Sequence, residues 1–392
     1  MVHKLSFDVR DVPACARYGM SARKMWIFLK AMLFAWASWI VFVYLGYLAA
    51  GESLAARWSS GRLVPLPAGI FWESWPSVVL LVLGLVLAVV AILFAQLKTC
   101  KVTFEQIRGD DFFSGKDASR FCRAHHKPVI ATPLILLVGL ALAFGGALVF
   151  GLVVSIPAVG PIVGGLAVVF AWGKSLLIVL GGVAFVLSFL MVPAIVATTK
   201  GDTFESLFEL FSTVTSQSWR LFVYYLVAFV CRTLGLIVFA VFSVAALAFL
   251  FGSVSLVAGN AYGASVSAGL QTLAPEAVGA FSSLVYPVGP GAYGEPWGGV
   301  AGALCALSAA AILLVLLSYW LSSACSGSTL IYLALRYKKD GEDLLQRADD
   351  EEYREFEEQY GVGEERKEET GEPAQRRPEI DEDDETEEDE ED

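Results

Sequence analysis

The sequence predicts an all-α fold, a polytopic transmembrane helical bundle of about six spans, and three observations predict it. Of 392 residues, 56% are hydrophobic and only 17% are charged, against about 25% charged in an ordinary soluble domain, and the mean hydropathy is +0.61. Val78 to Leu97, Val129 to Ile156 and Leu236 to Leu250 contain no Asp, Glu, Lys or Arg, and about 20 apolar residues suffice to cross the hydrocarbon layer as a helix. Lys and Arg collect in alternate connecting segments, the bias that orients short loops toward the cytoplasm.

Residues 1–25 form a basic segment with Lys4, Arg10, Arg17, Arg23 and Lys24. About 24 mixed residues precede the first apolar run, which is longer than a signal-peptide core, so the first span is expected to remain as an anchor. The spans cover about 26–49, 78–97, 129–156, 162–197, 219–251 and 300–335, within a transmembrane domain of 26–335. The fourth is too long for one crossing: 36 residues reach about 54 Å, against a core of about 30 Å. Either it breaks near Gly173-Lys174, with Lys174 at the outer surface, or it is one long tilted helix; the sequence leaves both open. Between spans lie inner segments at 98–128 and 198–218, and an outer loop at 252–299 that is rich in Gly, Ala and Ser. Trp58, Trp72 and Trp75 suit the outer headgroup level. The Lys and Arg of the four inner segments, Lys200 being the only base of 198–218, place both termini inside, and a bacterial cytoplasmic (inner) membrane is the expected location.

Charge divides sharply. Gly341 to Asp392 carries 26 acids and 6 bases, whereas the rest carries 14 acids and 22 bases. Residues 336–360 are expected to form a short charged helix, and 361–392 a disordered acidic tail suited to a basic protein partner or simply to solvation. No concentrated cationic face for nucleic acid is evident. Six cysteines without a CxxC pair argue against a disulfide framework, and no cofactor motif is present.

A weak internal repeat is visible. Tyr18 to Trp26 (YGMSARKMW), Phe121 to Val129 (FCRAHHKPV) and Phe211 to Trp219 (FSTVTSQSW) each enter a span from a polar or amphipathic stretch. The third has Phe204, Leu207, Phe208, Phe211 and Val214 at helical spacing, opposed by Asp202, Glu205, Glu209 and Ser212, a pattern that predicts a helix lying on the inner surface. The fold then reads as three copies of a surface helix plus a transmembrane hairpin.

Candidate functional residues are few. Arg232 stands 13 residues after Trp219, about 20 Å along its helix, near mid-membrane by that count. An intramembrane arginine faces protein, a polar cavity or an interface. The sixth span offers a polar stripe, Ser318, Ser322, Ser323, Ser326, Ser328 and Thr329. Arg232 with Ser318, Ser322 and Ser323 therefore forms a candidate intramembrane polar site, read either as structural pairing or as an anion-holding cavity. Cys122, His125 and His126 make half of a zinc site at most; with Arg123 and Lys127, the simpler expectation is contact with anionic headgroups. No set of residues supplies nucleophile, base and charge stabiliser, so no catalytic residues are assigned.

Val192-Pro193-Ala194-Ile195-Val196, then Phe204-Glu205-Ser206-Leu207, then Ser218-Trp219-Arg220-Leu221 resembles the passage entering a span in bacterial six-span YciC-like and glycerophosphodiester phosphodiesterase membrane-domain proteins. The resemblance covers about 30 residues and implies an integral-membrane module. The phosphodiesterase domain has no counterpart here, and the long outer loop and acidic tail depart from the pattern. The expected function is noncatalytic organisation or regulation of partners at the cytoplasmic face. The alternative is a transporter or lipid-handling protein with a cavity near Arg232.

Overall fold

A computed structural model describes residues 5–61, 65–157, 160–258 and 297–347. Among these residues the chain is helical, with no strand: α1 (Ala14–Gly19), α2 (Ala22–Ala49), α3 (Leu54–Gly61), α4 (Trp75–Arg108), α5 (Gly115–Ala124), α6 (His126–Val154), α7 (Gly160–Thr199), α8 (Thr203–Ser216), α9 (Ser218–Ala258) and α10 (Trp297–Asp340). Helices α2, α4, α6, α7, α9 and α10 are long and apolar enough to cross a membrane. Residues up to Glu342 form one compact unit. In the second unit, the Asp343 carboxylate accepts the Leu345 N–H at 2.9 Å. The acidic tail and most of the outer loop lie outside the described residues.

Local chemistry sets the helix ends. Helix α4 starts with Pro76 in its first turn, where a missing N–H costs nothing, and stops at Gly109, whose φ of 107° is left-handed. The α5 start is capped by the Ser114 hydroxyl, which accepts the Asp117 N–H at 3.2 Å. The Asp202 carboxylate accepts the Glu205 N–H at 2.8 Å and starts α8. Helix α7 continues through Gly173-Lys174 without a break, which decides between the two readings of the fourth span. Its 40 residues reach about 60 Å.

Element order repeats three times: short helix, then hairpin, as α1–α2–α4, α5–α6–α7 and α8–α9–α10. The break between short helix and span falls at Met20-Ser21, His125 and Gln217. Those breaks come three, five and seven positions into the aligned segments, so the likeness is one of architecture and not of residue register.

Packing is uneven along the bundle. At the end that carries Lys98, Lys101, Arg123 and Lys338, called here the basic end, α10 is the hub: Leu330 to Leu335 are at most 2% exposed. Helix α7 is likewise buried from Met191 to Ala197. Toward the opposite end α6, α7 and α9 expose nearly every large apolar residue, among them Leu142, Leu152, Leu166, Phe170, Val241 and Phe249. Such a surface suits a lipid surround.

The N-terminal segment departs most from expectation. It folds back into the basic end, with Phe7 stacked on Tyr337 at 4.3 Å and α1 packed between α9 and α10. Both termini of the membrane unit therefore meet at one end. Asp8 pairs with Lys338, whose ammonium also donates to the Tyr224 hydroxyl at 3.0 Å. The Lys338 contact holds the Asp8 carboxyl down from 3.8 to about 2. A depressed carboxyl stabilises the docked segment above its unfolded value and loses that contribution as pH falls through about 2. Pepsin is therefore expected to spare Phe7 at pH 4 and cut there near pH 2; in Asp8→Asn the segment should be equally susceptible at both.

Candidate functional site at the basic end

Among the described residues no hydrogen bond joins the serine stripe to Arg232; the stripe's hydroxyls are engaged elsewhere. The Ser322 hydroxyl donates to the Gly19 carbonyl of α1 at 2.9 Å, and the Tyr319 hydroxyl reaches the Ala16 carbonyl at 3.5 Å. Ser318 and Ser323 donate to their own helix, at Val315 and Tyr319. Ser326 meets the Thr103 hydroxyl of α4 at 3.2 Å, and Ser328 meets the Tyr225 hydroxyl of α9 at 3.3 Å. Each hydroxyl has a partner within the protein, as buried polar groups require.

Arg232 is on α9 beside the same helix. Its guanidinium lies 4.2 Å from the Trp320 ring centroid and 5.1 Å from that of Phe229, and its buried Nε–H has no hydrogen-bond partner. The ring of His126 meets Phe94 of α4 edge-on at 6.0 Å.

The histidine pair separates. His125 stacks on Phe121 at 4.4 Å. His126 turns to α4, its Nδ1 2.9 Å from the Arg123 carbonyl. Lys127 is exposed and lies outside the cavity that His126 lines. That cavity, about 340 Å³, is bounded by Phe94 and Lys98 of α4, Ser119, Cys122 and Arg123 of α5, and His126 of α6. The structure therefore brings Arg123 and His126 together, leaves His125 and Lys127 apart, and adds Lys98. The inner-loop charge pattern had shown Lys98 only as one of several bases.

Two buried charge groups carried no local signal in the sequence. Lys24 is fully buried, donating to the Tyr18 carbonyl at 3.0 Å. Glu209 is 5% exposed and pairs with Arg336 and, at 3.4 Å, with Lys339. Helix α8 departs from the simple amphipathic expectation in burying Glu209 of its polar set, while Asp202 and Glu205 stay exposed. Its Ser206, Glu209, Leu210, Thr213 and Val214 face protein, while Phe204 and Phe208 point outward. The cause is a cationic partner: the end of α10 presents Arg336 and Lys339, and a carboxylate buried against them is compensated. Outward phenylalanines suit the bilayer interface.

These features define a class, a six-helix membrane bundle closed at one end by its own N-terminal helix. Comparison with protein-family models, curated proteins and solved structures gives no match.

Proposed function

We infer that the chain is a noncatalytic integral membrane protein that organises or regulates partners at its basic end, with that end and both termini in the cytoplasm of a bacterium. The observation that carries this reading is the seating of α1 against Ser322 and Ser323 of the last span. A transport route near Ser322 and Ser323 would need the position held by Gly19. The orientation rests on the Lys and Arg of the first segment and of residues 98–128, against Arg57 and Arg62 on the other side. The resemblance to YciC-like membrane-domain proteins supports an integral-membrane module.

In this reading the tail supplies the recruiting element. Its final twelve residues, 381–392, are acidic except for Thr386, and a field of that sign attracts basic surfaces at rates and affinities that fall with salt. Removal of 361–392 is expected to strip basic proteins from the purified complex while the bundle stays monodisperse in detergent. An unchanged set of co-purifying proteins at low and high salt would refute recruitment by the tail.

A further inference from the structure

We propose that the cavity between α4, α5 and α6 holds the phosphate of an anionic phospholipid headgroup, with Lys98 and Arg123 as its two cationic contacts. This deepens the reading above by naming a ligand for the same end of the bundle, and it uses that reading only for location.

Charge, space and surroundings all point to this occupant. Lys98 and Arg123 are cavity-lining cations from different helices, and among the described residues neither forms an ion pair. Basic side chains at a membrane surface attract anionic headgroups by about 1 kcal/mol each. The roles of the remaining lining groups follow from their bonds. The Ser119 hydroxyl donates to the Gly115 carbonyl at 2.8 Å and serves as wall. His126 donates through Nδ1 to the Arg123 carbonyl, which fixes the start of α6 against α5 and leaves the two fixed charges to hold the anion.

A volume of about 340 Å³ is equivalent to about ten waters, room for a phosphate and the glycerol that carries it. Above the cavity the walls turn apolar and exposed: Leu83 and Leu87 on α4, Leu134 and Leu137 on α6. A phosphate seated at Lys98 and Arg123 has a surface beside it for acyl chains, which a free anion would not use. Phe94 forms the transition between the two zones.

The test uses the full chain in phosphatidylcholine nanodiscs and measures binding of short-chain phosphatidylglycerol by native mass spectrometry. The Lys98→Gln/Arg123→Gln variant is expected to weaken binding about tenfold or more. Lys116→Gln/Lys127→Gln removes the same charge from exposed positions outside the cavity and should change binding less than about twofold. Equal losses in the two variants would show diffuse attraction and overturn the site. On the wild-type protein alone, equal retention of phosphatidylglycerol and phosphatidylcholine would also overturn it, whether or not the variants fold. Displacement of the lipid by millimolar inorganic phosphate would assign the cavity to a free anion and refute the lipid. Loss of lipid binding with the tail's partners retained would separate this site from the recruitment function.

Discussion

Gly19→Ala is expected to release α1 from the bundle. A Cβ at Gly19 would lie 2.5 Å from both the Cα and the Cβ of Ser323 and 2.8 Å from its backbone nitrogen. Neither helix can yield by rotating a side chain, so α1 must move away from α10. Overpacking of this kind costs about 3 kcal/mol at the upper end of its usual range. With α1 go the Ser322–Gly19 hydrogen bond and the contact of Cys15 with Gly327 and Ala228. Cys15 provides the readout. It is fully buried, and burial pushes its thiol up to about 12. Release restores both access and an ordinary thiolate fraction, so the rate of maleimide labelling at Cys15, read by peptide mass spectrometry at neutral pH, should rise by roughly a hundredfold or more. Gly139→Ala is the control, because nothing lies within 4 Å of its would-be Cβ. Unchanged Cys15 labelling in Gly19→Ala would mean that α1 is not seated against Ser323.

Glu209→Ala is expected to be the most destabilising single change at α8. It leaves Arg336 and Lys339, each about one-fifth exposed as side chains, without the carboxylate that lies between them. Breaking a buried pair by removing one partner costs about 3–5 kcal/mol. The lower end applies here, because Arg336 keeps Asp340 and Glu342 at 3.1 Å. The double change Glu209→Leu/Arg336→Leu should recover much of that loss, since apolar replacement of a buried pair is often close to neutral. Unfolding in mixed micelles across the four proteins of the cycle measures the coupling. Additive losses would show that the two residues do not depend on one another, and α8 would then be held by Leu210 and Val214 alone.

Both predictions concern contacts made by residues far apart in the chain, and this is where sequence reading reached its limit. The six long helices followed from uncharged runs, because a backbone in hydrocarbon must satisfy its own hydrogen bonds within each segment. The helix before α9 was legible from the spacing of its apolar residues, and those before α2 and α6 only from the threefold pattern of a polar segment entering a span. The docking of α1 was not legible. Its six residues contain Arg17 and Tyr18, and nothing local says that Gly19 is the point where two helices touch. Glu209 read as the solvent face of α8, because a one-dimensional pattern separates polar from apolar but not paired from hydrated. Arg232 stood out as an intramembrane charge, but its contact with the Trp320 and Phe229 rings has no local pattern in the chain that specifies it.

The basic groove shows the same division. Arg123 and His126 were legible as polar residues beside a span, whereas Lys98 joins them only through the side-by-side placement of α4, α5 and α6. His125, adjacent in the chain, turns away onto Phe121. By itself the sequence determined which segments cross, that the crossings are helical, and where charge concentrates, since burial of peptide groups and of charge in hydrocarbon is penalised residue by residue. Only the tertiary structure decided which polar groups meet. Partners such as Ser322 with Gly19 or Glu209 with Arg336 lie more than a hundred residues apart. In a lipid surround as apolar as the helices themselves, close packing and polar contacts select the arrangement.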